Sequence, residues 1–149
     1  MLSIKAADIM TKKVKTISEE ATLREAAELM AWNRISGLPV VNGKGILTGV
    51  ISEADLMDEG KRKAAVPRMA LYGLYTIPEE VLRKSIDEGF SLKVKDCMSR
   101  KVITATPDTP VEELAQTMVD KGINRIPILS GGKVAGIVSR NDLLRALCG

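Results

Sequence analysis

The residues best suited to chemistry occur twice, as Gly49-x-x-Ser52-x-x-Asp55 and Gly136-x-x-Ser139-x-x-Asp142. Each group lies where an apolar, strand-forming run gives way to a helical pattern. One reading is local: Ser52 and Ser139 are N-caps, and Asp55 and Asp142 complete capping boxes. The other is a binding site. A helix start turns backbone N–H groups and the positive end of its dipole toward a phosphate, and an adjacent carboxylate accepts two hydrogen bonds from ribose hydroxyls. Capping does not explain the glycines. Inside a strand, glycine marks a bulge or the close approach of another backbone or a ligand. On the residues alone the two readings stand level.

Other chemistries have little to work with. Histidine is absent from the 149 residues, which removes Ser–His and Cys–His nucleophile pairs and histidine metal sites. Cys97 and Cys148 share no C-x-x-C context and read as reduced thiols of a cytoplasmic protein. With no nucleophile–base pair, metal cluster or paired catalytic carboxylates, the expectation is a non-enzyme with no metal and no required cofactor. Aromatics are 3% of the chain, too few for base-stacking platforms. Basic residues number 22 and acidic ones 19, interspersed to a net +3, so a nucleic-acid partner is disfavoured. The densest basic run, Lys61-Arg62-Lys63, follows Asp58-Glu59 and reads as a solvated helix end. No run is apolar enough for a membrane span or a signal peptide. Apolar residues, at 45%, suffice for a core.

The elements that must position these groups are duplicated as well. Asp8-Ile9-Met10-Thr11 returns as Asp96-Cys97-Met98-Ser99, and Leu38-Pro39-Val40 as Ile126-Pro127-Ile128. Each copy reads as strand, helix, strand, strand, helix. Leu23, Ala26, Ala27 and Met30, and again Val111, Leu114, Ala115 and Met118, define a buried helical face. Thr22-x-x-Glu25 and Thr109-x-x-Glu112 are predicted capping boxes, the latter with Pro110 at the first helical position. The helices are expected to stop at Asn33 and Gly122. Strands follow at 38–41 and 126–129, then 46–51 and 134–138, joined by the turn signals Asn42-Gly43 and Gly131-Gly132. Copies this small cannot each bury a stable core, so they are expected to pack together. Met10 and Met98 are assigned to the core. Trp32, beside the buried face, is compatible with core, cover or interface.

The division is 1–57 for the first copy, 58–94 for an insert and 95–149 for the second copy. In the insert, Thr76-x-x-Glu79 with Pro78 starts a predicted helix continued by Val81, Leu82, Ile86 and Phe90. Met69, Leu71, Tyr72 and Tyr75 precede it. They read first as cover for the insert's own core and second as part of a dimer or partner surface.

Taken in order, the repeated Asp-x-Met-Thr/Ser, the amphipathic helix, Ile35-Ser36-Gly37-Leu38-Pro39-Val40 or Ile123-Asn124-Arg125-Ile126-Pro127-Ile128, and Gly-x-x-Ser-x-x-Asp resemble a tandem pair of cystathionine-β-synthase (CBS) domains. The resemblance covers residues 4–57 and 92–148. It implies an α/β fold of two βαββα repeats packed as a pseudo-two-fold Bateman module, with a helical insert between them. It also implies a regulatory, energy-sensing role through an adenosine-containing ligand such as AMP, ADP, ATP or S-adenosylmethionine. Carried over by position, the principal site draws Ile137, Ser139, Arg140, Asn141 and Asp142 to ribose and phosphate, with Lys15, Ile35, Ser36 and Gly37 along the adenine. The second site has Ser52 and Asp55 at the ribose, and Ile103, Ile123, Asn124 and Arg125 around base and phosphate. Arg140 in the former is Glu53 in the latter, which ranks the Asp142 site first for an anion. A homodimer and a regulated protein partner are the implied associations. The alternative is a ligand-independent dimerisation or scaffold module.

Overall fold

The computed structural model describes residues 4–57 and 91–148. The predicted insert helix from Thr76, the basic run at 61–63, and Met69, Leu71, Tyr72, Tyr75 and Phe90 lie outside the described residues. The rest forms a mixed α/β fold in two compact units. One, here the α2 unit, contains residues 16–42, 48–57 and 91–100; the other, the α5 unit, contains 4–15, 43–47 and 101–148.

In chain order the elements are α1 (Ala6–Ile9), β1 (Ile17–Ser18), α2 (Leu23–Asn33), β2 (Gly37–Val41), β3 (Leu47–Ser52), α3 (Glu53–Met57), α4 (Val94–Cys97), α5 (Val111–Lys121), β4 (Arg125–Ser130), β5 (Lys133–Ser139) and α6 (Arg140–Cys148). The leading segment of each copy is therefore built into the unit that holds the other copy's strands. Helix α1 belongs with β4 and β5, and α4 with β2 and β3.

Helix α2 begins as its sequence requires. Thr22 accepts a hydrogen bond from Glu25 N–H at 3.2 Å, and the Glu25 carboxylate accepts one from Thr22 N–H at 3.4 Å. Leu23, Ala26 and Met30 are buried along its inner face. The helix continues past the expected stop: Asn33 is its last residue, its side chain donating to Leu29 O at 2.8 Å, and Arg34 takes the left-handed cap at φ 53°. Helix α5 buries Val111, Leu114 and Met118 and ends, as expected, at left-handed Gly122. Its start corrects the sequence reading. Pro110 is the N-cap, with extended backbone and no side-chain cap, and Thr109 makes no capping box. The Thr109 hydroxyl is turned back into the preceding turn, where it accepts from Thr106 N–H at 3.0 Å.

In the α2 unit the sheet order is β1-β2-β3, with β1 parallel to β2 and Ile17 opposite Val40. In the α5 unit β4 and β5 are antiparallel, with Arg125 opposite Ser139 and Ile128 opposite Gly136. The ladder shifts register between Ile128 and Leu129, and Ser130 pairs with Lys133 across Gly131-Gly132. A leading strand comparable to β1 is reduced here to a single parallel bridge, Ala105 with Ile128. The α2 unit packs around Leu23, Leu38, Val40 and Ile51, and the incoming Val94, Cys97 and Met98 are buried among them. The α5 unit packs around Leu114, Ile126, Ile128, Val138 and Leu143, with Ala6 of α1 fully buried. Each buried Leu or Ile contributes about 1.5–3 kcal/mol relative to exposure, so these short elements are held by packing rather than by propensity.

Candidate functional site

Both repeated motifs fold as capped strand–helix junctions. Strand β3 ends at Ser52, whose N–H and hydroxyl donate to Asp55 Oδ2 at 2.9 and 3.1 Å. Asp55 N–H returns to Ser52 Oγ at 3.4 Å. At the end of β5, Ser139 N–H donates to Asp142 Oδ2 at 2.8 Å, and Asp142 N–H to Ser139 Oγ at 3.2 Å. The two carboxylates are the buried acids of the described residues, 8% exposed at Asp55 and 5% at Asp142. Burying a charge is tolerable only where hydrogen bonds satisfy it, and the helix start supplies them. Asp142 has a further partner on its other oxygen: Oδ1 is bridged by the Arg145 guanidinium, one helical turn on.

The strand glycines have an answer of their own. A Cβ at Gly49 would lie 2.7 Å from both Met98 Sδ and the carbonyl oxygen of Ser99. At Gly136 it would lie 2.6 Å from Met10 Sδ and 2.9 Å from the carbonyl oxygen of Thr11. The close neighbour is thus another backbone. It is tied down by paired hydrogen bonds between Val50 and Ser99, at 2.9 Å each, and between Thr11 and Ile137, at 2.9 and 3.0 Å. The two duplicated motifs, Asp-x-Met-Thr/Ser and Gly-x-x-Ser, are halves of one packing arrangement.

Each helix start is also fastened to the loop that follows the long helix. Glu53 N–H donates to Ser36 O, and Arg140 N–H to Asn124 O, both at 2.9 Å. Ser36 is thereby brought to the Ser52 junction, and Asn124, with Arg125 opposite Ser139 in the ladder, to the Ser139 junction. Of the residues expected at the principal site, Lys15, Ile137, Ser139, Arg140, Asn141 and Asp142 lie in the α5 unit, whereas Ile35, Ser36 and Gly37 lie in the α2 unit. Of the second set, Ser52 and Asp55 belong to the α2 unit, and Ile103, Ile123, Asn124 and Arg125 to the α5 unit. Lys15, Asn124, Arg140 and Asn141 are exposed; Ile103, Ile123, Arg125, Ile137 and Ser139 are half-buried.

The junctions differ in charge. Ser139 has Arg125 across the ladder and Arg140 after it; the repeat-equivalent positions beside Ser52 are Gly37 and Glu53. Arg145 was not singled out from the sequence, although its i+3 spacing from Asp142 on a helix was the available signal. Among the described residues no group of three or more His, Cys, Asp or Glu is placed to hold a metal ion. No helix among them is long and apolar enough to cross a membrane.

Two duplicated units, each a small sheet with flanking helices and a capped strand–helix junction, define a tandem-repeat α/β protein. The repeated unit is the CBS domain, which matches residues 6–62 and again 94–149, and the chain belongs to the CBS domain family. Over 150 residues it is 34% identical to the uncharacterized protein MJ1426 of Methanocaldococcus jannaschii, covering 94% of this chain and 89% of that protein. Two further relatives from that organism are longer, and the chain spans 41% and 40% of their length. The CBS domain of a CBS domain containing membrane protein from Sphaerobacter thermophilus superposes with a TM-score of 0.76 at 31% identity, covering 96% of this chain and 87% of that one. The CBS domain pair of protein MJ0100, solved with 5′-methylthioadenosine and S-adenosyl-L-methionine, gives 0.71 at 25% identity, with 99% and 98% covered.

Proposed function

We propose that this CBS pair is a regulatory, non-catalytic module that binds an adenosine-containing ligand: AMP, ADP, ATP or S-adenosylmethionine. The observation that carries the reading is the Ser139 junction. There a strand end, a helix start, Arg140 and a buried carboxylate (Asp142) meet within one unit. The Arg140 guanidinium suits phosphate, and the carboxylate suits the ribose diol. The adenosyl ligands of the MJ0100 pair support the same ligand class. Ile35, Ser36 and Gly37, with Lys15, remain the proposed adenine-side residues. Ser52 and Asp55, with Ile103, Ile123, Asn124 and Arg125, form the proposed second site, ranked lower because Glu53 repels an anion.

The ligand acts by differential affinity: it shifts the chain, and any regulated protein partner, only as far as it binds one conformation better than another. Such a module senses the adenylate state, and its proposed setting is the cytoplasm. Isothermal titration with AMP, ADP, ATP and S-adenosylmethionine tests the proposal. Failure of all four at millimolar concentration refutes it.

A second reading, a ligand-independent homodimer or scaffold, is favoured by large apolar side chains left in solvent. Trp32 is 86% exposed, and Val119, Met57, Leu147 and Leu144 are also exposed. Native mass spectrometry separates the two, since it reports subunit count and co-purified nucleotide together.

A further inference from the structure

We infer that Arg145 is a latch on the ribose side of the site, occupying the Asp142 oxygen that a ligand diol must share. The inference rests on the adenosine-ligand reading and adds to it a residue that sets affinity for the sugar. Asp142 Oδ2 is committed to the helix start through Ser139 N–H. The other oxygen, Oδ1, is engaged by the Arg145 guanidinium. A vicinal diol donates two hydrogen bonds, and a carboxylate offers about four lone-pair positions on two oxygens. With Ser139 N–H and the Arg145 guanidinium each taking one position, one remains on each oxygen, so a diol that bridges the carboxylate sets one hydroxyl on Oδ1 beside Arg145.

The partners are unequal. The Asp142 side chain is 4% exposed and fixed by its cap, whereas that of Arg145 is 78% exposed. An exposed arginine leaves at little cost, because water takes over its hydrogen bonds. The carboxylate cannot follow it out. The cationic side chain is thus the moving part and the carboxylate the fixed one. In the first copy the position equivalent to Arg145 is Asp58.

Titration calorimetry of the full chain and of Arg145→Met with AMP and with 2′,3′-dideoxy-AMP tests the latch. Removing the guanidinium is expected to tighten AMP about three- to five-fold, the worth of an ion pair whose cation is exposed, and to leave the dideoxy nucleotide unchanged. Arg145→Gln, polar but uncharged, is the second variant and is expected to tighten AMP as well. If the wild-type chain binds AMP and both variants bind it equally or more weakly, the latch is wrong and the ligand reading stands. Equal tightening of both nucleotides also overturns it, because the diol is then not involved. Binding by the variants alone supports a latch held shut in the wild type. No binding by any of the three chains overturns the ligand reading, and the latch with it.

Discussion

Met10 rests on Gly136: a methyl group at residue 136 would come within 2.6 Å of its sulfur and 2.8 Å of Cγ. The contact is matched by Met98 on Gly49. Because the Thr11 carbonyl closes the same notch at 2.9 Å, the obstacle is backbone as well as a flexible side chain. Gly136→Ala is expected to destabilise the protein by about 1–3 kcal/mol, the scale of overpacking a tight interior. Truncating the side chain with Met10→Ala should recover only part of it. Urea denaturation of both variants and the double mutant checks this, and full recovery would show that the carbonyl does not matter.

The two long helices end at equivalent positions with different residues, Arg34 at φ 53° and Gly122 at φ 64°. An L-residue pays for the left-handed region by roughly 1–2 kcal/mol, while glycine adds about 0.4–1 kcal/mol of unfolded-state freedom. Arg34→Gly should therefore be neutral to stabilising, by up to about 1.5 kcal/mol. Gly122→Ala should destabilise by about 1 kcal/mol. Thermal melts of the two variants must move in these directions.

Glu20 accepts from the Lys93 and Lys95 ammonium groups at 2.7 and 2.9 Å. The hydrogen bond from Lys93, then that from Lys95, pulls its carboxyl from 4.5 to about 2. The folded value lies below the unfolded one. The stabilisation is therefore complete above 4.5 and is lost as pH falls from there through about 2. The same contact raises Lys95, so its share is complete below the ordinary lysine range and is lost as pH rises through the raised value. A carbon-detected NMR titration should find Glu20 well below ordinary glutamates, and Lys93→Ala should move it upward.

Asp142 is capping residue and proposed ribose ligand at once. Asp142→Ala should cost about 1–2 kcal/mol of stability through the lost cap and weaken AMP by about 1–3 kcal/mol. Asp55→Ala should cost similar stability with less effect on binding. Calorimetry at a temperature where both variants remain folded decides the ranking. A larger binding loss at Asp55 would reverse it.

Most of the fold was legible because its signals are local. The Leu23–Met30 and Val111–Met118 stripes each fixed a helix face, and Gly131-Gly132 fixed a turn. Thr109 misled because two local interactions compete for one hydroxyl. Its sequence fits a capping box, but the Pro107-containing turn places Thr106 N–H within reach first. Asn33 misled by one position, since its amide serves Leu29 O and leaves the left-handed cap to Arg34. The Gly-x-x-Ser-x-x-Asp junctions were readable as capped helix starts, yet the partner of each glycine was not. Periodicity reports which face is buried, never which distant segment covers it, and Met10 and Gly136 are separated by most of the chain.

The exchange of leading segments bears on how the protein is made. Residues 4–15 are translated long before β5, yet their place is beside it. The α5 unit therefore cannot close before β5 has been made. Until then, Ala6 and Met10 stay without their partners, and a chain halted anywhere before β5 exposes them. Premature termination should thus yield a recognisably unfinished protein rather than a functional half, which makes the duplicated gene, once crossed in this way, indivisible.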